Sequence, residues 1–320
     1  MIPAALRAVP AGSVDVTAPV TIDGLSYVAA DDPAMPMYRV IANNRTPVAL
    51  RDLMIRPVRA GYIGAGRQPD PALVPPSGRD AVPGVDVEQI FLPVRDGVAR
   101  CQLYRPIAAP VESRLPIIVY YHGGGFTVGA SEDCDFLTRK LAVTNSALVV
   151  SANYRSAPEF MFPTPLDDAF DVYCWVAEHG GQLGGDTARI AVAGDSAGSN
   201  IAAALALRAR AEEARPPDAV VMLGAMPDFH FERWESFRRQ APRGIVYDMA
   251  FAGFIRGAYV GPTPWDHPWV NPIDGDLIGY PLTVIAAGMP HGFYFFPGVH
   301  HEENVAYEIV AEALAGPFSR

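Results

Sequence analysis

Five short apolar runs, each separated from the next by turn residues and a helical pattern, constrain the fold of this 320-residue sequence more than any other feature. The runs are rich in Val, Ile and Leu and lack the alternation of a half-exposed strand, which predicts strands buried on both faces. They occupy 115–121, 147–153, 190–194, 219–224 and 282–287. The helical patterns occupy 134–144, 165–179, 196–213 and 248–259. This order predicts an α/β fold with a mostly parallel sheet and helices on both faces.

The chain before the first of these runs is organised differently. The strand-like runs 85–92 and 98–104 flank Arg95-Asp96-Gly97, and the Asp-Gly pair predicts a hairpin. Residues 1–85 are rich in Pro and Gly, with a loop-like run at 61–66 and turns over 71–83. We expect residues 1–85, with short helices at 35–60, to form a cap or lid on a catalytic domain at 86–320.

Charge and cysteine content narrow the classes of function. Lys and Arg number 25 against 35 Asp and Glu, a formal net charge of −10. This charge disfavours nucleic acid and anionic lipid as partners and favours a small neutral or apolar ligand. Cys101, Cys134 and Cys174 fit neither a disulfide framework nor a metal site, so free thiols are expected.

The first eleven residues lack the pattern of a signal peptide, and no apolar stretch approaches the roughly 20 residues of a membrane span. A cytoplasmic location without stable membrane anchoring is therefore predicted. The sequence leaves a monomer and a homodimer both open.

The third buried run leads into Gly194-Asp195-Ser196-Ala197-Gly198, followed by an Ala-rich helical pattern. A serine between glycines at a strand-to-helix turn is typical of a nucleophile, because the sharp turn lifts its hydroxyl above the sheet. The N-terminus of the following helix would lie beneath it. Ser196 is the predicted nucleophile.

The first buried run ends at His122-Gly123-Gly124-Gly125-Phe126. Consecutive glycines let a backbone approach a ligand and direct its amides toward a developing oxyanion. The predicted donors are the amides of Gly123 and Gly124, together with that of Ala197 after the nucleophile. The Lys-Ser/Thr pair of a phosphate-binding loop is absent. His122 is expected to orient this loop.

His291 is the predicted general base, in Met289-Pro290-His291-Gly292-Phe293 after the last buried run. His179 reads as the end of a helix, and His300 and His301 as the start of another. His230 and His267 remain open alternatives without a matching context.

The chain resembles the hormone-sensitive-lipase-like esterases of the α/β-hydrolase superfamily. The residues that carry the resemblance are the two glycine motifs above, Asn153-Tyr154-Arg155-Ser156-Ala157-Pro158-Glu159, Phe162-Pro163 and His291-Gly292-Phe293. The resemblance implies an α/β-hydrolase fold, an oxyanion hole in the His-Gly-Gly-Gly loop, Ser196 as nucleophile, His291 as base and an N-terminal cap. It also implies an intracellular carboxylesterase for short or medium acyl chains, without a metal or organic cofactor.

One departure from the family pattern concerns the third member of the triad. The usual Asp-Pro-Leu-x-Asp segment, a helix and a final strand are missing between residue 287 and His291, so the C-terminal end of the sheet is expected to be shortened. Asp228, after the run 219–224, is the predicted substitute acid; Asp274 and Asp276 are the alternatives. The predicted function is a serine carboxylesterase that acts through an acyl-enzyme. The alternative is a hydrolase-fold protein that binds an ester or acid with impaired or no turnover.

Overall fold

A computed structural model describes residues 21–22, 25–26, 82–110, 112–240, 249–286 and 301–319. Seven strands of this part form one sheet: β1 (Val85–Val94), β2 (Gly97–Pro106), β3 (Leu115–Tyr121), β4 (Leu148–Ala152), β5 (Gly185–Asp195), β6 (Ala219–Leu223) and β7 (Leu282–Ala286). A separate two-residue ladder joins Thr21–Ile22 to Leu25–Ser26. The predicted cap falls almost wholly outside the described residues, as do its helices at 35–60.

The seven strands lie in the order β1-β2-β4-β3-β5-β6-β7. β1 and β2 form the predicted antiparallel hairpin, and β2 pairs antiparallel with β4. Every pair from β4 to β7 is parallel, so the carboxyl ends of β3, β5, β6 and β7 share one edge. Functional groups in open α/β sheets gather at this edge.

Helices cover both faces of the sheet, as predicted. Two helices, α2 (Thr164–His179) and α3 (Ala197–Ala211), pack on one face with Ile117, Val119 and Val192. Two others, α1 (Asp135–Thr144) and α6 (His301–Phe318), pack on the opposite face with Ile118 and Tyr120. Successive β3 residues point to opposite faces, and both faces are buried, which explains the unbroken apolar run. The short helices α4 (Glu235–Gln240) and α5 (Met249–Ile255) follow β6.

The mostly parallel α/β fold is thus confirmed, with small differences in element boundaries. β5 begins at Gly185 rather than residue 190, because its first residues pair with Leu115 at the start of β3. The predicted helix at 248–259 is split, since α5 continues as a π-helical turn over Arg256–Val260. In the described part of the sheet β7 is the last strand, and the chain from 287 to 300 lies outside it.

Candidate active site

Ser196 lies at the turn between β5 and α3, at the carboxyl edge of the sheet. Its backbone has φ +52° and ψ −117°, a sparsely populated conformation for a residue with a side chain. Its amide donates to the Leu223 carbonyl at 2.9 Å, which ties the turn to the end of β6. The neighbouring strand therefore holds Ser196 in a strained position, as expected of a nucleophile at such a turn.

The two glycines that flank Ser196 are required by packing. A Cβ atom at Gly194 would lie 2.3 Å from the carbonyl carbon of Gly198. A Cβ atom at Gly198 would lie 1.9 Å from the carbonyl oxygen of Tyr121, at the end of β3. The first turn of α3 therefore sits directly against β3 and β5, which places the positive end of the helix beside Ser196.

The loop after β3 turns sharply at Gly124, whose φ is +110°. A Cβ atom there would lie 2.1 Å from the carbonyl oxygen of Val128. The Gly124 carbonyl accepts hydrogen bonds from the amides of Thr127 and Val128 at 3.2 and 3.1 Å. Within the described residues, the amides of Gly124 and Ala197 have no protein acceptor. Both are thus free to donate to a ligand.

His122 fastens the start of this loop, as the sequence predicts. Its Nδ1 donates to the Gly123 carbonyl at 2.7 Å, and its ring stacks on Tyr154 with centroids 4.3 Å apart. The Tyr154 hydroxyl donates to the His122 carbonyl at 2.8 Å. Complete burial lowers the pKa of His122 to about 4, so the imidazole is neutral near pH 7 and poorly suited to act as a base.

Asp195, the residue before Ser196, is buried and faces the same loop. Its Oδ1 accepts the amide of Gly123 at 2.8 Å and the hydroxyl of Tyr120. The Cys134 thiol lies 3.8 Å from the same oxygen. Burial raises the pKa of Asp195 to about 6, opposed by these hydrogen bonds. The Gly123 amide therefore donates to Asp195, whereas the amides of Gly124 and Ala197 have no acceptor among the described residues.

Asp228 lies beyond β6 and is buried. Its Oδ1 accepts the amide of His230 at 2.7 Å, and its Oδ2 accepts Nε1 of Trp234 at 2.9 Å. Arg233 Nε lies 3.5 Å from Oδ2. Ionised carboxylates have about four lone-pair sites, so further acceptance is open to Asp228 even with these donors in place.

The loop that carries Asp228 is joined to the helix that carries Ser196. The amide of Met226 donates to Ser199 Oγ at 3.0 Å, and Asn200 Nδ2 donates to the Met226 carbonyl at 3.0 Å. Ser199 Oγ in turn donates to the carbonyl of Ser196. Two hydrogen bonds in series through Ser199, and a separate one from Asn200, thus connect the Ser196 turn and the first turn of α3 to Met226, two residues before Asp228.

The two alternative acids differ from Asp228 in exposure. Asp274 is exposed and forms a bidentate pair with Arg233, at 3.0 and 2.7 Å. Asp276, also exposed, accepts the Ile278 amide at 3.0 Å and lies 3.6 Å from Arg210. Arg233 therefore lies between Asp228 and Asp274, although residues 228 and 274 are far apart in sequence.

Of the predicted site residues, the described structure includes Ser196, Asp228, Gly123, Gly124 and Ala197, all at the carboxyl edge of the sheet; His291 lies outside the described residues. Sequence reasoning missed Asp195, Tyr120, Cys134 and Tyr154. An acidic residue beside a nucleophile is an available signal, but its partners come from separate elements. Within the described ranges, no group of three or more His, Cys, Asp or Glu could hold a metal ion, and no helix has the length and apolarity needed to cross a membrane.

Comparison with known proteins places this geometry in a family. Residues 118–290 match the model of a family described as having the alpha/beta hydrolase fold. The chain belongs to this family. The match includes the glycine loop at 122–126, the turn at Ser196 and Asp228.

Individual relatives agree with this assignment. Ethyl acetate hydrolase of Pseudomonas putida is 36% identical over 253 residues, which cover 72% of this chain and 79% of that protein. Human hormone-sensitive lipase is 37% identical over 155 residues, 48% of this chain but only 14% of that protein. The solved esterase of Pyrobaculum calidifontis has a TM-score of 0.66 and 31% identity, covering 72% of this chain and 83% of that one. The predicted resemblance to hormone-sensitive-lipase-like esterases and the prediction of a carboxylic ester hydrolase are confirmed.

Proposed function

We propose that this chain is a serine carboxylesterase that hydrolyses short- to medium-chain carboxylic esters through an acyl-enzyme at Ser196. His291 is the general base and Asp228 the triad acid in this proposal. The amides of Gly124 and Ala197 are the oxyanion donors, because the Gly123 amide donates to Asp195 instead. No metal or organic cofactor takes part.

The observation that carries the proposal is the position of Ser196. It combines strained backbone, a helix N-terminus beneath it and, on the neighbouring strand end, a loop with a free amide. Free amides beside a strained serine suit a reaction in which negative charge develops on an oxygen. A turn with only a structural role would have no use for both features.

The reaction follows from these groups. The Ser196 hydroxyl attacks the ester carbonyl while His291 accepts its proton, and the carbonyl oxygen becomes an oxyanion held by the amides of Gly124 and Ala197. The tetrahedral intermediate collapses, and the leaving alcohol takes the proton from His291. Water then attacks the acyl-enzyme with His291 again as base, which releases the acid and restores Ser196.

Asp228 as the triad acid is supported by its burial and by the hydrogen bonds that join its loop to α3. A triad acid orients the imidazole and stabilises the imidazolium. Asp274 and Asp276 are exposed, and an exposed carboxylate stabilises a nearby charge less because water screens it. Asp228 therefore remains the first choice.

The preference for short acyl chains is supported by a relative named for ethyl acetate, the ester of a two-carbon acid. Residues 1–85 are proposed as a cap over the acyl site, in line with the family resemblance. A cytoplasmic location and a small-molecule ester as the only partner complete the proposal, with a homodimer open.

A second candidate is a protein that binds esters or acids with little turnover. The observation that favours it is the set of donors around Asp228, because both of its oxygens already accept hydrogen bonds from residues 230 and 234. If no carboxylate reaches His291, the nucleophile and the oxyanion donors would still bind a ligand.

A chromogenic assay with p-nitrophenyl acetate separates the two candidates. Wild type should turn over, and Ser196→Ala and His291→Ala should each lower kcat by about 10⁶-fold, as loss of either group does in a well-studied serine protease. Circular dichroism should be unchanged in Ser196→Ala, since only a hydroxyl is lost. Folded wild type that releases p-nitrophenol no faster than Ser196→Ala would contradict the esterase proposal. Rates that rise toward the sixteen-carbon ester would contradict only the chain-length preference.

A further inference from the structure

Asp195 is a buried carboxylate for which the proposed mechanism has no role. It is 2% exposed, and the three groups that face its Oδ1, the amide of Gly123, the hydroxyl of Tyr120 and the thiol of Cys134, are all neutral donors. Burying a carboxylate without a cationic partner is costly even when it is hydrogen-bonded. Burial also raises the pKa values of Tyr120 and Cys134 well above their ordinary range, so both keep their protons.

Asp195 links the two strand ends that carry the proposed nucleophile and the oxyanion loop. Its backbone adjoins Ser196 at the end of β5, whereas its carboxylate binds the residue before Gly124, at the end of β3. The two halves of the reaction centre, nucleophile and oxyanion loop, come from these two strands. Asp195 is thus the neighbour of Ser196 in the chain. Through one hydrogen bond it also holds Gly123, the residue directly before the oxyanion donor Gly124.

Packing around the contact leaves little freedom. A Cβ atom at Gly123 would lie 2.2 Å from Asp195 Oδ2 and 3.0 Å from the Asp195 carbonyl oxygen. The loop therefore rests on the Asp195 side chain as well as bonding to it. Tyr120 lies on β3 and Cys134 ends the 3₁₀ turn before α1, and both belong to the core cluster on the face of the sheet that α1 and α6 cover, so the carboxylate is also held from this side.

We propose that Asp195 is a positioning residue that fixes the oxyanion loop relative to Ser196, by holding the Gly123 amide while Tyr120 and Cys134 hold its own carboxylate. This rests on the proposed esterase function. We expect this positioning to act on the transition state. Moving a donor away from the developing oxyanion destabilises the transition state more than it destabilises the bound substrate.

The test compares Asp195→Ala and Asp195→Asn with wild type, with Asp168→Asn as the matched control. Asp168 is also a buried carboxylate, but it binds the backbone amide and guanidinium of Arg155 and has no hydrogen bond to residues 122–126 among the described residues. For p-nitrophenyl acetate, Asp195→Ala should lower kcat by about 100-fold with KM changed less than about threefold, similar to loss of one oxyanion donor. Asp195→Asn, which keeps an acceptor oxygen, should recover about tenfold of that loss.

Two further readouts separate positioning from a merely structural role. The inhibition constant of a trifluoromethyl ketone, which forms a tetrahedral adduct with a serine, should rise in proportion to the fall in kcat. Amide hydrogen exchange over residues 122–129 should be faster in Asp195→Ala and unchanged in Asp168→Asn. Asp168→Asn should lower the melting temperature while leaving kcat of the folded protein within about threefold, because it removes a partner of Arg155 and no hydrogen bond to the loop.

The outcomes are distinguishable from failure of the esterase proposal. Folded Asp195→Ala with kcat within about threefold of wild type, or with unchanged exchange over 122–129, would overturn the positioning role. Equal losses in Asp168→Asn and Asp195→Ala would also overturn it, since any buried carboxylate would then matter. Wild type without turnover refutes the esterase, and the exchange comparison then decides whether Asp195 still holds the loop.

Discussion

The carboxyl edge of the sheet has two halves, and they differ in how many of the proposed catalytic contacts lie within the described residues. The nucleophile half, formed by the ends of β3 and β5, has a described partner for each loop residue that positions Ser196 or the oxyanion donors. The acid half, formed by the loop after β6 and the segment 272–276 before β7, has three candidate acids, two of them linked through Arg233. We therefore propose that the identity of the triad acid in the acid half sets the rate of this protein.

The difference has a physical origin. A nucleophile turn and an oxyanion loop need only adjacent parallel strands and glycines at fixed positions, all of which lie within about 75 residues of one another here. A triad acid must meet the base by way of loops, so a shortened segment before the base alters where the acid can come from. In the proposed mechanism, Asp228 meets this need from the loop after β6, the strand next to β5.

The strongest way to sharpen the comparison is to remove the carboxylate of Asp228. If Asp228 orients His291, Asp228→Asn should lower kcat by about 10⁴-fold with KM little changed, as loss of a triad acid does. Steady-state kinetics with p-nitrophenyl acetate measures this. Asp274→Asn is the control, because it removes the other carboxylate on Arg233 and should change kcat by less than about threefold.

The Asp274→Asn control also distinguishes the alternative triad acids from one another and from the ligand-binding candidate. A large loss in Asp274→Asn and none in Asp228→Asn would move the acid to the 272–276 segment. A wild type already slower than ordinary esterases by a similar factor, with none of the three acids mattering, would support the ligand-binding candidate.

A smaller effect is expected in the nucleophile half from Gly124→Ala. The φ of Gly124 is +110° and a Cβ atom there would lie 2.1 Å from the Val128 carbonyl, so the loop must shift and its amide must move. Loss of one oxyanion donor costs about 10²–10³ in kcat. Gly279→Ala is the matched control. Gly279 has a φ of +69°, but a Cβ atom there would meet no atom within 4 Å, so the substitution should lower stability without lowering kcat. Comparable kcat values for Gly124→Ala and Gly279→Ala would exclude Gly124 as a donor.

The smallest effect concerns stability and pH. Burial raises the pKa of Asp195 from 3.8 to about 6, so the folded state holds this proton more tightly than the unfolded state. Wild type should therefore lose stability as pH rises from about 4 to about 6, on the order of 3 kcal/mol from this group. Asp195→Asn has no carboxyl group at this position and should not lose this stability. The free energy of unfolding of Asp195→Asn minus that of wild type should therefore increase as pH rises from about 4 to about 6.

Chemical denaturation at several pH values measures this difference. His122, whose pKa burial lowers to about 4, favours unfolding as pH falls, but it is present in both proteins and drops out of the comparison. A difference between the two proteins that is constant from pH 4 to pH 7 would show that Asp195 is not a buried acid with a raised pKa.

The sequence predicts most of the nucleophile half because its information is local. The run 115–121 coincides with β3, and the flanking glycines of Ser196 identify a turn that only small residues can form. The sequence could not predict the direction of each backbone amide in the glycine loop at 122–126. The Gly123 amide is taken by Asp195, a contact between residues 72 positions apart that no motif encodes.

The acid half is harder to predict for the same reason. Asp228 stands out as an acidic residue after a buried strand, but its two donors come from an unremarkable turn at residues 230–234. Arg233 reaches both Asp228 and Asp274, and such a link depends on tertiary packing rather than on spacing.

The central claim, that Ser196 is the activated nucleophile of this chain, is tested most directly with a fluorophosphonate probe and peptide mapping. The claim predicts one adduct per folded chain, on Ser196, absent in Ser196→Ala and absent after the protein is unfolded. Labelling that survives in Ser196→Ala, or a folded wild type that the probe does not label at all, would contradict it.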